Sequence, residues 1–518
     1  MKRRSFLKNT SAFAIPTLIG GLSVTANAAQ RMAALINEDS DRVLVLIDMN
    51  GGNDGLNSFV PLDAYDNLYN ARPNVIIPEN KLLSLTDTIS LHPEMEGIKN
   101  LYDNANLKVI QGVSYPNQNR SHFRSADIWN SASDADVFES TGWMGRYLDD
   151  LYPGYPENYP NEDHEHPFAI TLGKSISGTC QGQESNFSLA IINTNDIGGL
   201  NTGIEGELTD DYYGTELAYL IDIYKKTNQY AVPVEEAVEK GNSLNTNYPE
   251  TALGQQLQTV AKMISGGLKT KIYVLKLGGF DTHADQVVDG DPTIGEHAEL
   301  LSNISASIDA FQADIKALGL EKRVLGMTFS EFGRKIKSNA GNGTDHGTAA
   351  PMMIFGDCVL PGIVGDNPTV AEEVDSEEGV AMQYDFRSVY GSVLMDWFEV
   401  SEEKVKTLLT PDFQYIPILG ECLIVNDTDN IAQSVMLQAI PNPFANNFQI
   451  QLELEKSERV KIDISDVQGR LIKDVGYRTL AAGVHHINME ASEFVAGIYF
   501  VRIQIGNQSR SLRVVKGN

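Results

Sequence analysis

Cysteines, basic residues and long apolar runs are all scarce in this sequence. Only three cysteines, widely spaced, occur among the 518 residues, so neither a disulfide framework nor a thiolate zinc site is indicated. The 40 basic residues face 69 acidic ones, which gives a net charge of −29. A surface with this charge repels phosphate backbones and anionic lipids, so we expect no nucleic acid and no anionic membrane as the main partner.

The lack of long apolar runs argues against a membrane-spanning protein. No stretch after residue 28 approaches the roughly 20 apolar residues that a spanning helix needs. We therefore expect no integral membrane segment after signal removal. With 42% hydrophobic and 21% charged residues, the chain has the composition of a folded globular protein, and its length predicts about two to four domains.

Residues 1–28 have the organisation of an export signal. Four basic residues and no acidic residue stand near the start, followed by a modestly apolar stretch and by Ala26-Asn27-Ala28, the order found in a cleavable secretory signal. Arg3-Arg4 and the residues after them resemble a twin-arginine signal, which implies the twin-arginine export machinery as a partner. A general secretory signal is the alternative. Both predict a mature protein outside the cytoplasm.

The last segment, residues 437–518, differs from the rest in charge and in pattern. From Met436 onward, ten basic residues stand against eight acidic ones, whereas the middle of the chain is strongly acidic, which indicates a domain boundary near this position. Residues 449–454 and 499–505 alternate apolar and polar side chains, the period of half-buried strands. We expect a small antiparallel β-sandwich here, preceded by a linker over residues 426–436.

Three motifs in this segment resemble the type A sorting domain of the type IX secretion system. They are Pro441-Asn442-Pro443-Phe444, Val467-Gln468-Gly469-Arg470 and Ala496-Gly497-Ile498-Tyr499. The resemblance implies the type IX secretion machinery as a partner. It also implies that the protein is secreted or displayed at the outer-membrane cell surface, by way of the periplasm. A carbohydrate-binding or adhesive sandwich is the alternative.

The middle segment, residues 40–425, alternates apolar runs with helical patterns. Buried strands are predicted at residues 43–47, 107–110, 272–275 and 324–329. Apolar residues between 300 and 318 fall on one face of a helix. Strand–helix–strand repetition predicts an α/β fold with a mostly parallel sheet flanked by helices, and such sheets bind ligands beyond the carboxyl ends of their strands.

Polar, glycine-rich loops follow these strands. They are Asn50–Asn57, Gly278–His283 and Ser330–Arg334, with a further loop soon after at Gly343–Gly347. Carboxylate and imidazole ligands together suit Zn, Mn or Fe, whereas an all-oxygen shell suits Mg or Ca. An aspartate at a turn is most often a cap, but four such loops at strand ends together predict a divalent-metal site.

These loops resemble a family known as domain of unknown function 1501 and, more broadly, the alkaline phosphatase and sulfatase superfamily. The motifs are N-G-G-N-D-G-L-N, N-R-S-H-F at residues 119–123, G-G-F-D-T-H, S-E-F-G-R and G-T-D-H-G. The resemblance implies one or two divalent metal ions, of undetermined identity among Zn, Mn, Mg and Ca. By position, the implied ligands are Asp54, Asp281, His283, Glu331 and His346. Phe332 departs from the pattern, because the superfamily usually has a second ligand, histidine, there.

The same resemblance implies the catalytic residues. Ser121 matches the nucleophile, which would attack phosphorus or sulfur and form a covalent intermediate that water then cleaves. Arg334 or Arg124 would hold the non-bridging oxygens. The alternatives are that Ser121 caps a helix, that Arg334 pairs with Glu331 in a structural bridge, and that His297 is a structural histidine rather than a site residue.

Two classes of function follow. One is an exported hydrolase of phosphate or sulfate esters, acting on a small-molecule or glycan substrate. The other is a non-catalytic extracellular binding or assembly protein on the same fold, which the phenylalanine at position 332 favours modestly. The sequence does not favour a sulfatase of the formylglycine type, because no cysteine is followed by x-Pro-x-Arg.

Truncation after Val435 is expected to leave the acidic domain folded, because the composition changes there and the small sandwich has an alternating core of its own. The truncated protein is expected to stay in the periplasm, since it lacks the segment that resembles a sorting domain. Cell fractionation with immunoblotting measures the distribution. Truncated protein at the cell surface in normal amounts would contradict the sorting assignment.

Overall fold

The structure, a computed structural model, describes residues 41–192, 229–420 and, with short gaps, 437–517. The predicted export signal in residues 1–28 and the predicted linker at 426–436 lie outside the described residues. Across the part of the chain that is described, no helix is both long and apolar enough to cross a membrane.

The α/β part contains fourteen strands and nine labelled helices among the described residues. The strands are β1 Val43–Asn50, β2 Phe59–Pro61, β3 Leu83–Ser84, β4 Ile89–Leu91, β5 Leu107–Ser114, β6 Ala169–Leu172, β7 Ser188–Ile191, β8 Ile272–Gly278, β9 Val324–Phe329, β10 Arg334–Ser338, β11 Thr344–His346, β12 Ala350–Phe355, β13 Gly362–Val364 and β14 Tyr384–Asp385. The helices are α1 Gly55–Ser58, α2 Tyr65–Ala71, α3 Glu96–Asp103, α4 His122–Ser131, α5 Trp143–Leu151, α6 Ala252–Ser265, α7 Glu296–Ala317, α8 Phe386–Phe398 and α9 Glu402–Leu408. Residues 229–240 are also helical, and three short 3₁₀ helices complete the set, at Leu62–Ala64, Glu79–Lys81 and Gly178–Cys180.

Nine strands form one mixed, mostly parallel sheet. Its order is β13-β5-β12-β9-β1-β8-β6-β7, with β14 paired to β5. β1 pairs in parallel with both β8 and β9, whereas β12 runs antiparallel to its neighbours β5 and β9. This topology confirms the predicted α/β class with a mostly parallel sheet, and the four strands predicted from apolar runs are all present.

Helices cover both faces of this sheet. Alternate residues of β1 point to opposite faces, so that Leu44 and Leu46 join one apolar core while Val45 and Ile47 join the other. The first core packs against α4, α5 and α8, and the second against α3, α6 and α7. Burial on both faces is the reason why β1 reads as a continuous apolar run in the sequence.

α7 shows how the sequence pattern becomes packing. Its buried side chains recur every three or four residues and lie on one face: Leu301, Ile304, Ile308, Phe311 and Ile315. Glu296 and Glu299 occupy the first turn, where negative charge interacts favourably with the helix dipole. The helix predicted from apolar spacing is therefore confirmed.

The carboxyl-terminal segment is a sandwich of two antiparallel sheets, as predicted. One contains β15 Leu437–Ile440, β16 Asn447–Leu454 and β19 Gly483–Glu490; the other contains β17 Glu458–Asp466, β18 Leu471–Leu480, β20 Gly497–Ile505 and β21 Gln508–Lys516. Between them lies a separate apolar core that includes Phe448, Ile450, Ile462, Val501 and Val514.

The two cysteines among the described residues differ in oxidation state. Cys358 is disulfide-bonded, whereas Cys180 is a buried free thiol, whose pKa burial raises to about 12. The cysteine count and spacing gave no indication of this bond.

A buried pair of histidines lies beneath the loop that follows β1. His297 donates from Nε2 to Oδ1 of Asn53 at 3.0 Å, and its ring lies 6.2 Å from that of His92. Burial lowers the pKa of His92 to about 3 and that of His297 to about 4, although the Asp54 carboxylate acts in the opposite direction. Both histidines are therefore neutral in the folded protein, as expected of structural residues.

Acid is expected to destabilise the protein through these two histidines. Their pKa values are lower in the folded state than the ordinary 6.5, so the unfolded chain binds protons that the folded protein does not. Their contribution should be complete above pH 6.5 and should fall below it, by about 1 kcal/mol per pH unit for each histidine. Guanidinium unfolding between about pH 7.5 and pH 5 measures the slope.

His297→Gln should remove about half of the slope that these two residues cause. His486→Gln is the matched control, because His486 is an exposed histidine of the sandwich, and it should leave the slope unchanged. A wild-type slope retained in His297→Gln would contradict this origin of acid sensitivity.

Candidate metal centre

The loops after β1 and β8 meet because their strands are adjacent and parallel. Asn50 at the end of β1 is opposite Gly278 at the end of β8, so both loops leave the same edge of the sheet. Gly51 has a φ of +124°, and a Cβ atom there would overlap the backbone nitrogen of Asp281. Glycine is therefore required at this position, both by the backbone conformation and by the close approach of the two loops.

Arg334 holds these loops together. Its buried guanidinium donates to four carbonyl oxygens, those of Gly51, Gly52, Phe280 and Thr344. It also donates to Oδ1 of Asp281 at 2.8 Å. The carboxylate partner is thus Asp281 rather than Glu331, the partner considered from the sequence. These bonds engage the guanidinium in positioning the loops.

Three histidines surround the Asp281 carboxylate. His346 Nε2 lies 3.0 Å from Asp281 Oδ1, and His122 Nε2 lies 3.3 Å from Asp281 Oδ2. His283 Nε2 lies 3.2 Å from Asp281 Oδ1 and 2.8 Å from His346 Nε2. Ligand atoms of His122, Asp281 and His346 all lie within 4.8 Å of one another. We refer to His122, Asp281, His283 and His346 as the histidine cluster.

Each histidine of the cluster has an acceptor at its other ring nitrogen. His122 Nδ1 lies 2.9 Å from Oε1 of Glu331, and His283 Nδ1 lies 2.9 Å from Oδ1 of Asp345. His346 Nδ1 lies 2.8 Å from the carbonyl oxygen of Arg120. A carbonyl oxygen can only accept, and an ionised carboxylate likewise, so each Nδ1 carries a proton and donates it.

A neutral imidazole that donates from Nδ1 presents a lone pair at Nε2. Two such lone pairs, those of His122 and His346, converge with the Asp281 carboxylate, and the His283 lone pair lies beside Asp281 and His346. His122 Nε2 is buried and makes no hydrogen bond within the described residues. Either additional protons or a cation can relieve the repulsion between these atoms, and this donor set is the one that a transition-metal ion binds. The residues present fit a divalent metal ion.

The pKa values of two cluster residues favour the ligand-competent forms. Partial burial raises the pKa of Asp281, but the hydrogen bond and positive charge of Arg334 outweigh this and contribute to lowering it to about 2. Burial lowers the pKa of His346, although the Asp281 carboxylate opposes the change. At neutral pH the carboxylate is therefore ionised and this imidazole neutral, as metal binding requires.

Asp54 lies apart from the cluster, in a buried ion pair. Both of its carboxylate oxygens accept from Nη1 of Arg72, at 3.0 and 2.8 Å, and Oδ2 also accepts from Gln286 at 2.7 Å. Burial raises the pKa of Asp54, but Arg72 and the other partners outweigh it and keep the pKa below its usual value. The carboxylate implied as a ligand is thus fully engaged by a guanidinium and an amide.

Glu331 stands behind the cluster rather than in it. Its buried Oε1 accepts from the backbone N–H of Gly51 at 2.8 Å as well as facing His122 Nδ1. Such a carboxylate fixes the orientation and tautomer of a ligating histidine. Phe332, at the position where the superfamily pattern has a histidine, packs against the rings of His122 and His346, at centroid distances of 5.0 and 4.6 Å.

Ser121 is exposed at the amino-terminal cap of α4, and its side chain makes no capping hydrogen bond. The residue before it receives the His346 hydrogen bond, and the residue after it belongs to the cluster. Arg124 donates to carbonyl oxygens of the loop at residues 134–137 and stacks on Phe138. Ser121 is therefore adjacent in sequence to two residues that contact the cluster, whereas Arg124 is engaged by the loop.

Sequence reasoning assigned no role to two residues of this site, His122 and Asp345. Both stand inside quoted motifs, His122 directly after Ser121 and Asp345 directly before His346. An imidazole and a carboxylate next to two candidate site residues were the available signal. The other residues of these motifs were assigned from the superfamily pattern, and that pattern gives no indication of the pairs His122–Glu331 and His283–Asp345.

Two family models match the sequence. The family described as a protein of unknown function, DUF1501, matches residues 224–396, and the secretion system C-terminal sorting domain matches residues 438–517. Both resemblances are confirmed over these residues. The sorting domain points to the type IX secretion machinery and to a location at the cell surface or outside the cell. No curated protein matches the sequence.

Solved structures similar to this chain include an alkaline phosphatase superfamily protein, a sulfatase and a phosphonate monoester hydrolase. A protein in the alkaline phosphatase superfamily from Vibrio parahaemolyticus has a TM-score of 0.30 and 10% identity, covering 96% of this chain and 92% of that one. The PsFucS1 sulfatase from Pseudoalteromonas sp. has a TM-score of 0.29 and 10% identity, with 89% and 87% covered. The phosphonate monoester hydrolase SpPMH from Silicibacter pomeroyi has 0.31 and 9%, with 92% and 89% covered. At these TM-scores, the chemistry of this protein has to be argued from its own residues.

A divalent metal is expected to raise the melting temperature, because an ion that binds only the folded protein stabilises it by mass action. Asp281→Asn and His346→Ala should abolish the increase, since each removes a donor at the centre of the cluster. His486→Ala, on the sandwich, is the matched control and should retain it. Calorimetry with zinc, manganese, magnesium and calcium in turn measures the shift. A wild type indifferent to all four ions and to a chelator would contradict the metal centre.

Proposed function

We propose that this protein is an exported, metal-dependent hydrolase of phosphate or sulfate esters. The observation that carries the proposal is the convergence of the Nε2 lone pairs of His122 and His346 with the Asp281 carboxylate, beside Nε2 of His283, with each Nδ1 held by an acceptor of its own. Protons or a cation can balance these converging atoms, and the donor set of imidazoles and a carboxylate suits a metal cation. Export is supported by the sorting-domain match and by the disulfide at Cys358, since disulfides persist in oxidising compartments.

The residues that would hold the metal are His122, Asp281, His283 and His346. Three imidazole nitrogens and one carboxylate oxygen suit zinc first, and manganese or iron next. A bound divalent ion would supply charge stabilisation to the oxygens of the transferring group and lower the pKa of a hydroxyl nearby. One ion is supported by this arrangement, because Arg72 occupies the carboxylate of Asp54.

Ser121 is the nucleophile in this proposal. Its hydroxyl is exposed and is not used in a helix cap, and it stands between two residues that contact the cluster. Its oxygen would form a bond to phosphorus or sulfur as the ester oxygen departs, and water would then cleave the resulting serine ester. The first N–H groups of α4 follow directly and offer hydrogen bonds to an anion.

A non-catalytic binding protein is the second candidate, and the arginines favour it. Both arginines considered from the sequence for holding non-bridging oxygens are engaged elsewhere, Arg334 by loop carbonyls and Asp281, and Arg124 by carbonyls of residues 134–137. A metal centre with an anion-binding serine could then capture extracellular material without cleaving it. Turnover distinguishes the two candidates.

Ser121→Ala is expected to remove ester hydrolysis while retaining metal binding, because the hydroxyl is not one of the four ligands. A loss of at least about 100-fold in kcat/KM is expected for a nucleophile. Ser140→Ala is the matched control, since Ser140 is also exposed, and should keep full activity. Assays use aryl phosphate and aryl sulfate esters, with metal content measured in parallel.

Activity retained in Ser121→Ala would contradict the role of this serine. A metal-loaded wild type that cleaves no ester would contradict the hydrolase and favour the binding protein.

A further inference from the structure

The charges next to the histidine cluster are already paired. Arg334 forms an ion pair with Asp281 at 2.8 Å. Its guanidinium N–H groups also donate to carbonyl oxygens of the loops. Lys335 lies 3.7 Å from Asp345 and 2.9 Å from Glu377. Among the described residues, Arg334 contacts Asp281 of the cluster, and Lys335 contacts Asp345, the carboxylate that accepts from His283. Both cations are already paired, so neither is available to bind an anion.

The nearest further cation is paired as well. Arg120, whose carbonyl oxygen accepts from His346, has Nη1 3.7 Å from Glu377 and donates from Nη2 to the Glu377 carbonyl at 2.9 Å. Glu377 thus lies between Arg120 and Lys335 at the rim of the site. Asp345 and Glu377 together balance these two cations, so that the rim contributes no net charge.

Glu331 is a further carboxylate next to the cluster. It is buried and faces His122, with no cation paired to it in an ion pair of the described residues. A divalent ion brings two positive charges, and Glu331 removes one of them. The loaded site therefore has a net charge of about one positive.

The charge of the ligand matters because attraction and desolvation scale differently. Attraction to the site grows in proportion to the charge of the ligand, whereas the cost of removing it from water grows with the square of that charge. A dianion placed at a site with one net positive charge doubles the attraction and raises the desolvation cost about fourfold. The described residues of the site offer neutral N–H donors of α4 to an anion, but no spare guanidinium or ammonium group whose charge would offset this cost.

We propose that this site selects esters whose reacting group carries a single negative charge, namely sulfate monoesters or phosphodiesters, over dianionic phosphate monoesters. The inference rests on the metal centre of the proposed function and specifies its substrate class. Both substrate types present a tetrahedral centre with one delocalised negative charge, which matches the net charge of the loaded site.

Calorimetric titration of the zinc-loaded full chain tests the preference. The probes are phenyl sulfate and methyl phenyl phosphate, which are monoanions, and phenyl phosphate, which is a dianion at pH 8 because its second pKa is about 6. The titrations use wild type and Ser121→Ala. The variant is expected not to hydrolyse the esters, so that its titration measures binding without turnover. We expect both variants to bind at least one monoanion about tenfold more tightly than the dianion. Which monoanion binds better separates a sulfate ester from a phosphodiester as substrate.

A charge variant tests the cause of the preference. Glu377→Gln removes one negative charge beside Arg120 and Lys335, so it should strengthen phenyl phosphate binding about two- to fivefold relative to the monoanions. Glu372→Gln is the matched control: this exposed glutamate lies five residues away, and its loss should leave the ratio unchanged.

Tighter binding of phenyl phosphate than of either monoanion, with zinc bound, would overturn the inference and leave the proposed function intact. Zinc binding without affinity for any of the three anions would also overturn it. Failure to bind zinc would overturn the proposed metal centre and the inference together. Turnover of aryl esters is scored separately, and its absence in a protein that binds the monoanions contradicts only the hydrolase.

Discussion

The site depends on one constraint, the fixed protonation of three imidazole rings. Two carboxylates and one backbone carbonyl accept the Nδ1 protons of His122, His283 and His346. In the neutral rings, the opposite nitrogens face inward as lone pairs as long as these acceptors stay in place. The acceptors come from three different parts of the chain, so that the protonation of the cluster is a property of the tertiary fold rather than of any one loop.

Those acceptors stay in place because the loops are bonded to one another by buried polar groups. Arg334 joins the loops after β1 and β8 to β11, and Arg72 joins Asp54 to the backbone of β10. Removing one partner of such a buried pair leaves a charge without a counterpart, which costs far more than the pair contributes. Charged residues that the family pattern associates with chemistry are thereby also the residues that build the frame.

Local patterns in the sequence predicted the sheet well, because a strand buried on both faces is apolar whatever its neighbours are. They also predicted which loops meet, since parallel strands such as β1 and β8 end at one edge. The side chain with which each polar residue pairs could not be predicted in the same way. Asp54 lies in a loop of the expected kind, but Arg72, eighteen residues further on and outside every motif, takes its carboxylate. Glu331 contacts a histidine, and long-range packing alone decides that this histidine is His122.

The position of His283 has a consequence for how the site is filled. Its side chain is 44% exposed and that of Asp281 is 46% exposed, whereas the His346 side chain is 22% exposed. One side of the cluster is therefore open to solvent after folding is complete, and an ion can reach the inner nitrogens without any part of the backbone moving. Loading of the proposed metal centre would therefore follow folding and would depend on the metal content of the surrounding medium.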